Sequence, residues 1–362
     1  MADKENKDIT KGNIHYGVYD EVVLSEHKSY WPFPIVDDPY LEQVFTFMVE
    51  VTIKQKGLFK KKKKLNIDDF TQNKFSYGSQ DEHFVLGEYN ELEDSFLTLY
   101  NPNAIAQGIT VYYPSWEKKH IDLTLDLFTT EDEIEDFFNL VIELCQKFDT
   151  NVFLYNNSIE CTLDDVPKLI ADVKGISNKA IENFLNDSET EGLVVFGAFN
   201  PIYFDKNALK EIAGDNYSDR LKKYLHDLQS QDLYYVRPTI LYDEDNYYGI
   251  YIVTEECDSI LPLDFRTSLD MMNLFIDEPI ILDKWIVGLY STTNDKITGY
   301  VDFDSFKDFL EFENLPKYDA AHIILSGLSN KQIEQIIEAC INVDKGGIEN
   351  GSRSNNKTNW FI

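Results

Sequence analysis

Positive charge is scarce in this sequence. Lysine and arginine together number 33 against 64 aspartates and glutamates, so the formal net charge of the 362 residues is −31. A chain with this charge repels the phosphates of nucleic acids and the anionic surface of a membrane. The composition therefore argues against general nucleic-acid binding and favours a basic protein as the partner.

Residues that bind metals or act as reactive thiols are few and widely spaced. The four cysteines, Cys145, Cys161, Cys257 and Cys340, include no CxxC pair, and the six histidines include no pair at i,i+4. Zinc and redox sites rely on such close pairs. Only Cys161 lies near a predicted helix N-terminus, where a thiolate would be stabilised. We therefore predict no bound metal, no cofactor and no catalytic residue.

Several functional motifs are also missing. The sequence contains no GxxxxGK[ST] or GxGxxG phosphate loop and no GxSxG nucleophile elbow. No apolar run approaches the roughly 20 residues that a membrane-spanning helix needs. The N-terminal segment MADKENKDITKGN is polar and lacks the apolar stretch of a signal peptide. These absences predict a cytoplasmic protein without membrane insertion.

The residues that are abundant are apolar and aromatic. Hydrophobic residues make up 43% of the chain, with 24 Phe and 22 Tyr, which is enough for a core. In QVFTFMVEVTIK, apolar residues from Phe45 to Ile53 alternate with mostly polar ones, and HIDLTLDLF alternates in the same way from Ile121 to Leu127. A period of two is typical of a strand with one buried face.

Helix and turn signals follow the strands. Thr130 and Glu133 form a predicted capping box, and apolar residues from Ile134 to Phe148 then recur at helical spacing. Further helices are predicted at 164–173, 177–186 with Ser177 as the cap, 218–229, 304–312 and 330–340 with Ser329 as the cap. Two short strands around an Asn-Pro loop are predicted at 95–114, a buried strand pair or bend at 193–204, and hairpins at 233–256 and 284–303.

This pattern predicts an α+β fold with largely antiparallel sheets, built from hairpins with interspersed amphipathic helices, in two sub-domains. The acidic stretch NDSETEG has the composition of a linker and marks the boundary between them. The predicted organisation is a flexible tail at 1–13, an N-terminal α+β domain at 14–187, a C-terminal α+β domain at 188–344 and a polar tail at 345–362.

A lysine-rich segment stands out against the acidic background. Seven of the eleven residues from 54 to 64 are lysine. Gly57 suggests a hairpin tip, with Leu65–Ile67 returning as the partner strand. One interpretation is that the lysines protect a sheet edge and balance the acidic body; the other is a binding site for an anionic partner. The candidate residues for that site are Lys54, Lys56, Leu58, Phe59, Lys60, Lys61, Lys62, Lys63 and Lys64.

The acidic residues offer one candidate for chemistry. Asp302 and Asp304, in VDFDSF, are expected on one face at the end of a strand, a position that enzymes use. Together with a distant histidine they would form a carboxylate acid/base site. The simpler interpretation is that Asp304 is a helix N-cap.

The order and spacing of four motifs resemble one family. FTFMVEVTIKQKGLFKKKKKLNIDDF, FSYGSQDEHFVLGEYN, LYNPNAIAQGITV and IDLTLDLFTTEDEIEDFFNLV are similar to DUF4299, an uncharacterised bacterial family, mainly over residues 44–150. The resemblance implies a bacterial protein without an established activity. Where the family pattern leads us to expect an arginine before the glycine of the Asn-Pro loop, this chain has Gln107.

Two functional hypotheses remain open from the sequence. The first is a non-catalytic, highly acidic cytosolic protein that binds a basic protein, as an inhibitor or immunity protein does. The second is a metal-assisted or carboxylate acid/base enzyme whose site is assembled from distant residues. The absence of an assembled catalytic motif favours the first hypothesis. The oligomeric state does not follow from the sequence.

Overall fold

The computed structural model describes residues 48–55, 64–81, 83–90, 96–113, 120–186, 192–214, 216–243, 246–265, 267, 282 and 284–340. Contacts divide the chain into two compact units, with the division after Asp232. We call their described parts, 48–232 and 233–340, the first unit and the second unit. The predicted tails at 1–13 and 345–362 lie outside the described residues.

Eight strands of the first unit form one antiparallel sheet. They are β1 (Met48–Lys54), β2 (Ser76–Gln80), β3 (Leu86–Gly87), β4 (Phe96–Tyr100), β5 (Ile109–Tyr112), β6 (His120–Asp126), β7 (Val152–Tyr155) and β8 (Ile159–Thr162). Their order across the sheet is β3-β2-β4-β5-β6-β1-β7-β8. The two alternating segments of the sequence are therefore confirmed as strands, β1 and β6, and they lie side by side.

Alternation along β1 and β6 gives the sheet an apolar face and a polar face. The apolar face packs against helix α2 (Glu131–Lys147) in one core. Phe137 and Phe138 of this helix are fully buried, and truncating either of them to alanine would cost about 3–5 kcal/mol. The polar face carries Glu50 and Thr52 of β1 beside Asp122 and Thr124 of β6.

The segment after the lysines does not return as a strand. Helix α1 (Ile67–Thr71) begins there, and Asn66 caps it: the Asn66 side chain accepts from Asp69 N at 3.1 Å, and Asp69 Oδ2 accepts from Asn66 N at 2.9 Å. The neighbours of β1 are β6 and β7. The predicted partner strand at Leu65–Ile67 is therefore wrong, because a reciprocal helix cap satisfies this backbone better than a three-residue strand.

Helix α3 (Val166–Asn186), which follows a 3₁₀ turn at Leu163–Asp165, is continuous. The two predicted helices at 164–173 and 177–186 are thus one, and Ser177 is not a cap. Its hydroxyl is buried and donates to the carbonyl of Thr129 at 3.0 Å. The cap prediction fails because the serine bonds to a distant carbonyl and not to its own backbone.

The rest of the first unit is a hairpin with two helices. It comprises β9 (Gly192–Phe196), β10 (Pro201–Asp205), α4 (Lys206–Ile212) and α5 (Tyr217–Gln229). Its core joins Val195, Ile202 and Leu221 to Ile181 of α3. Residues 192–229 thus share a core with α3, and the contacts divide the chain after Asp232. The predicted domain boundary, at 187/188, falls in a stretch outside the described residues.

The second unit contains two smaller sheets. Its strands are β11 (Tyr234–Tyr235), β12 (Pro238–Asp243), β13 (Asn246–Thr254), β14 (Ser259–Pro262), β15 (Lys284–Ser291), β16 (Lys296–Asp302) and β17 (His322–Leu325). One sheet has the order β12-β13-β15-β16 and the other β11-β14-β17. The hairpins β12–β13 and β15–β16 are both antiparallel, as the sequence predicts.

Two helices pack on the core of the second unit. They are α6 (Phe303–Leu310), followed by a 3₁₀ turn at Phe312–Asn314, and α7 (Asn330–Ala339). Ser329 caps α7 as predicted, accepting from Gln332 N at 3.4 Å. The predicted α+β class with largely antiparallel sheets is confirmed. None of the helices within the described ranges is both long and apolar enough to cross a membrane.

Candidate functional site

A small pocket lies on the polar face of the eight-stranded sheet, and we call it the sheet pocket. Four adjacent strands and the β7–β8 turn supply its lining: Glu50, Thr52, Phe96, Thr110, Tyr112, Asp122, Thr124 and Asn157. The strand registers bring them together, since Asp122 lies opposite both Thr52 and Tyr112, and Tyr112 lies opposite Phe96. The alternation of two predicted strands therefore builds this site.

Two carboxylates dominate the pocket. Asp122, only 9% exposed, accepts from the Thr52 hydroxyl at 2.5 Å through Oδ1. Its Oδ2 accepts no hydrogen bond within the described ranges, although His120 Nε2 lies 3.2 Å away. Glu50 is half-buried, and its Oε2 accepts from the side-chain amide of Asn157. Among the residues that the structure describes, the lining of the pocket contains no lysine or arginine.

The pKa of Glu50 reflects this environment. Burial raises it above the ordinary 4.5, and the nearby charge of Asp122 raises it further, while the hydrogen bond from Asn157 acts in the opposite direction. Desolvation and a like charge both disfavour the ionised form. A positive group entering the pocket would relieve both effects.

The size of the sheet pocket limits what it can hold. Its volume is about 10 Å³, which accommodates one group of the size of a water molecule. The polar lining offers carboxylate and hydroxyl oxygens, all of which can accept hydrogen bonds. The rings of Phe96 and Tyr112 form an aromatic wall, with centroids 5.1 Å apart. The pocket therefore suits a small cationic donor.

A wider groove of about 740 Å³ lies along α2, with Lys74, Asp136 and Lys147 in its lining. Its lysines are matched by acids: Lys74 pairs with Asp136, and Lys147 pairs with Asp69. The groove is thus electrically balanced, in contrast to the sheet pocket.

Most of the lysine-rich segment lies outside the described residues, including Lys56, Leu58, Phe59 and Lys60–Lys63. The described lysines of the set are its two ends. Lys54 closes β1 and lies opposite His120, and both Lys54 and Lys64 are exposed. The binding role of this segment remains a prediction.

Cys161 is not an activated thiol. It lies within β8, buried, and its pKa is raised above the ordinary 9.0, first by burial and then by the charge of Asp165. The raised pKa favours the neutral thiol over the thiolate. The predicted stabilisation at a helix N-terminus is therefore wrong, because burial outweighs it.

Asp302 and Asp304 do not form a joint site. Asp302 ends β16 and caps α6, with Oδ2 accepting from Ser305 N at 3.0 Å. Asp304 lies exposed in the first turn, so the predicted N-cap is two residues too late. Within the part of the chain that the structure describes, no group of three or more His, Cys, Asp or Glu side chains is arranged to hold a metal ion.

A buried glutamate, which the sequence assigns only to a capping box, has a larger role. Glu133 accepts from Gly108 N at 2.7 Å, from Gln107 N at 3.1 Å and from the Thr129 hydroxyl. Only half of the predicted capping box forms: Thr130 accepts from Glu133 N at 3.2 Å. Gly108 adopts a positive φ of 87° that favours glycine. Glu133 therefore anchors the Asn-Pro loop to α2.

Glu133 also affects Asp126, at the end of β6. Burial and the charge of Glu133 raise the pKa of Asp126 from 3.8 to about 7. Burial likewise raises the pKa of Glu133, against the effect of its hydrogen bonds. The first unit therefore contains a second place where carboxylates lack positive partners.

The second unit holds its buried glutamate differently. Glu255 accepts from the hydroxyls of Ser291, Thr292 and Thr293 at 2.8, 3.2 and 3.0 Å, and from Thr293 N at 2.9 Å. These donors, with Thr293 N the strongest, lower its pKa from 4.5 to about 2. This carboxylate fixes the β15–β16 turn.

A buried histidine in the second unit is also held by its neighbours. His322 Nε2 lies 3.0 Å from the Tyr235 hydroxyl, and His322 Nδ1 lies 2.9 Å from Asp319 Oδ1. All three side chains are buried. This arrangement agrees with a core histidine whose ring nitrogens both have partners.

Comparison with known proteins identifies a family. The family model described as "Domain of unknown function (DUF4299)" matches residues 48–336. No curated protein matches the chain, and no solved structure matches it.

Proposed function

The chain belongs to the DUF4299 family, a domain of unknown function, and we propose that it is a non-catalytic bacterial cytoplasmic protein that binds a basic protein partner. An inhibitor or immunity protein acts in this way. The observation that carries the proposal is the sheet pocket, in which Glu50 and Asp122 line a cavity whose described lining residues include no lysine or arginine. Such a pocket attracts a positive group on a partner.

The distribution of lysines in the first unit supports this proposal. Several of them lie beside the protein's own acids: Lys74 with Asp136, Lys147 with Asp69, Lys174 with Glu131 and Glu135, Lys222 with Asp132, and Lys223 with Asp227. These cations are matched locally, while the chain as a whole has a net charge of −31. The excess negative charge is available to steer a basic protein.

Helix α6 of the second unit adds an exposed acidic face. Asp304, Asp308 and Glu311 follow one another at helical spacing and are exposed. Phe309 beside them is 44% exposed. Aromatic side chains are enriched at protein–protein interfaces, and the carboxylates beside Phe309 would attract a basic partner. We call these four residues the α6 surface.

The test is a pull-down from a bacterial lysate with the purified protein as bait, at low and at high ionic strength. We expect basic proteins to be retained at low ionic strength and released at high ionic strength, because salt screens exposed charges. The control is a bait whose α6 surface carries lysines in place of its three acids. Retention of no basic protein at low ionic strength would contradict the proposal.

The second candidate function is carboxylate acid/base catalysis. It is favoured by one observation: Glu50, with its raised pKa, lies beside Asp122, and Asp122 Oδ2 lies 3.2 Å from His120 Nε2. Perturbed carboxylates of this kind occur in active sites. A substrate screen would support catalysis only if turnover were found in the native protein and lost in Glu50→Gln. Turnover that survives in Glu50→Gln would remove this candidate.

A further inference from the structure

We propose that the sheet pocket is a binding site for a primary ammonium group, such as the end of a lysine side chain. The proposal rests on the proposed function and names the chemical group on the partner that the pocket would take. It differs from general charge attraction because it places one group at one position.

The first argument is charge. Glu50 and Asp122 both line the pocket, and none of the described residues in its lining is a lysine or an arginine. Asp122 is about nine-tenths buried, and its Oδ2 accepts no hydrogen bond from any described residue, although His120 Nε2 lies 3.2 Å away. A buried carboxylate oxygen without a donor is costly, and a donor that also carries positive charge removes the cost.

The second argument is size. A cavity of about 10 Å³ fits a group as large as a water molecule. An ammonium head has this size and carries three N–H donors, whereas a guanidinium is larger and planar. The pocket therefore discriminates lysine from arginine.

The third argument is the number and kind of acceptors. Two carboxylate residues, Glu50 and Asp122, and two hydroxyl residues, Thr110 and Thr124, line the cavity, and an ammonium has three protons to donate to acceptors of these kinds. Phe96 and Tyr112 pack at 5.1 Å and provide an aromatic wall for a cation or for the methylenes behind it. The two carboxylates of this lining, Glu50 and Asp122, repel anions.

The test uses n-butylammonium chloride as the probe, followed by NMR of the full chain. We expect saturable shifts at Glu50, Thr52 and Asp122 with a dissociation constant in the millimolar range, and no such shifts with sodium chloride at equal ionic strength. Tetramethylammonium, which has no N–H, should bind at least about tenfold more weakly. Equal shifts with all three salts would overturn the proposal.

Variants separate the pocket from the rest of the acidic surface. Glu50→Gln keeps the shape and the acceptor for Asn157, and it should weaken n-butylammonium binding about tenfold. The matched control is Glu160→Gln, an exposed glutamate of β8, which should bind as the native protein does. Asp122→Asn removes the other negative charge of the pocket. Its binding of n-butylammonium is measured only after its NMR spectrum shows that the variant is folded. Native affinity in folded Glu50→Gln would overturn the ammonium site.

A final arm distinguishes a protein lysine from a free amine. A peptide with one lysine should compete with n-butylammonium, and the same peptide with acetyl-lysine should not. Competition by both peptides, or by neither, would overturn a lysine-binding role. If a basic protein is retained equally by the native chain and by Glu50→Gln, the proposed function stands and the ammonium site is wrong.

Discussion

Glu50 in the first unit and Glu255 in the second unit are the same residue type, and both lie among hydroxyl groups on a sheet. Glu255 receives four hydrogen bonds, three from hydroxyls and one from a backbone amide, and its pKa falls to about 2. Glu50 receives a side-chain hydrogen bond from Asn157 and lies near the charge of Asp122, and its pKa is raised.

The difference between them shows that the surroundings of a carboxylate decide whether its charge is stabilised within the fold. Donors that are already in place stabilise the charge of Glu255 and make it part of the fold. At Glu50 the positive or donating groups are too few, so the charge remains available to a ligand. A negatively charged protein can thus contain both carboxylates that stabilise its fold and carboxylates that are available to bind a positive group.

The largest expected effect comes from removing the satisfied carboxylate. Glu255→Ala leaves the donors of Ser291, Thr292 and Thr293 without their acceptor, and we expect the second unit to melt several degrees lower. Because the folded pKa of Glu255 is lowered from 4.5 to about 2, its stabilisation is present above pH 4.5 and is lost as pH falls toward 2. Thermal melts against pH should show this loss in the native protein and not in Glu255→Ala.

Asp126 tests the case of a carboxylate whose charge is not stabilised by its surroundings. Its pKa is raised from 3.8 to about 7, so the native fold loses stability as pH rises through 7 and the carboxylate ionises in place. Asp126→Asn should therefore raise the free energy of unfolding by roughly 2 kcal/mol at pH above 7. It should have little effect below pH 3.8, where the acid is protonated in both states. A variant that is less stable at alkaline pH would show that Asp126 has a stabilising partner.

Glu50→Gln should give a smaller change in the same direction. The groups that line the pocket with Glu50 include Asp122 and Thr124 on β6, Tyr112 on β5 and Asn157 in the β7–β8 turn. Removing the like charge beside Asp122 should stabilise the first unit by up to about 1 kcal/mol at neutral pH. Urea unfolding of Glu50→Gln and of the exposed control Glu160→Gln measures the difference. If Glu50→Gln were less stable than the native protein while Glu160→Gln was not, the charges of Glu50 and Asp122 would already be compensated in the native fold.

The smallest effect on stability is expected at the α6 surface. Replacing Asp304, Asp308 and Glu311 by lysine should change the free energy of unfolding by no more than about 0.5 kcal/mol for each substitution, because these side chains are exposed. Binding of a basic partner should nevertheless weaken, and calorimetry at two ionic strengths checks this. Unchanged binding would place the contact surface elsewhere.

Local patterns allowed much of the fold to be predicted. Alternation identified β1 and β6, helical spacing identified α2, and Ser329 was recognised as the cap of α7. These features depend on neighbours within a few residues, which the sequence displays directly.

Three of the features that the sequence did not reveal share a physical cause, which is bonding over long sequence separations. Ser177 was predicted as a cap, but its hydroxyl bonds to Thr129. Glu133 was assigned to a capping box, but it holds Gln107 and Gly108. The sheet pocket was not predicted, although its polar residues belong to predicted strands, because the register that places Thr52 opposite Asp122 depends on tertiary packing.

The central claim is that the carboxylates of the sheet pocket carry charge without enough compensation, and the side-chain pKa of Glu50 tests it most directly. A carbon-13 NMR titration of the Glu50 carboxyl should give a pKa above the ordinary value of 4.5, lower in Asp122→Asn and lower again when n-butylammonium is added. A pKa at or below 4.5 that neither change moves would contradict the account.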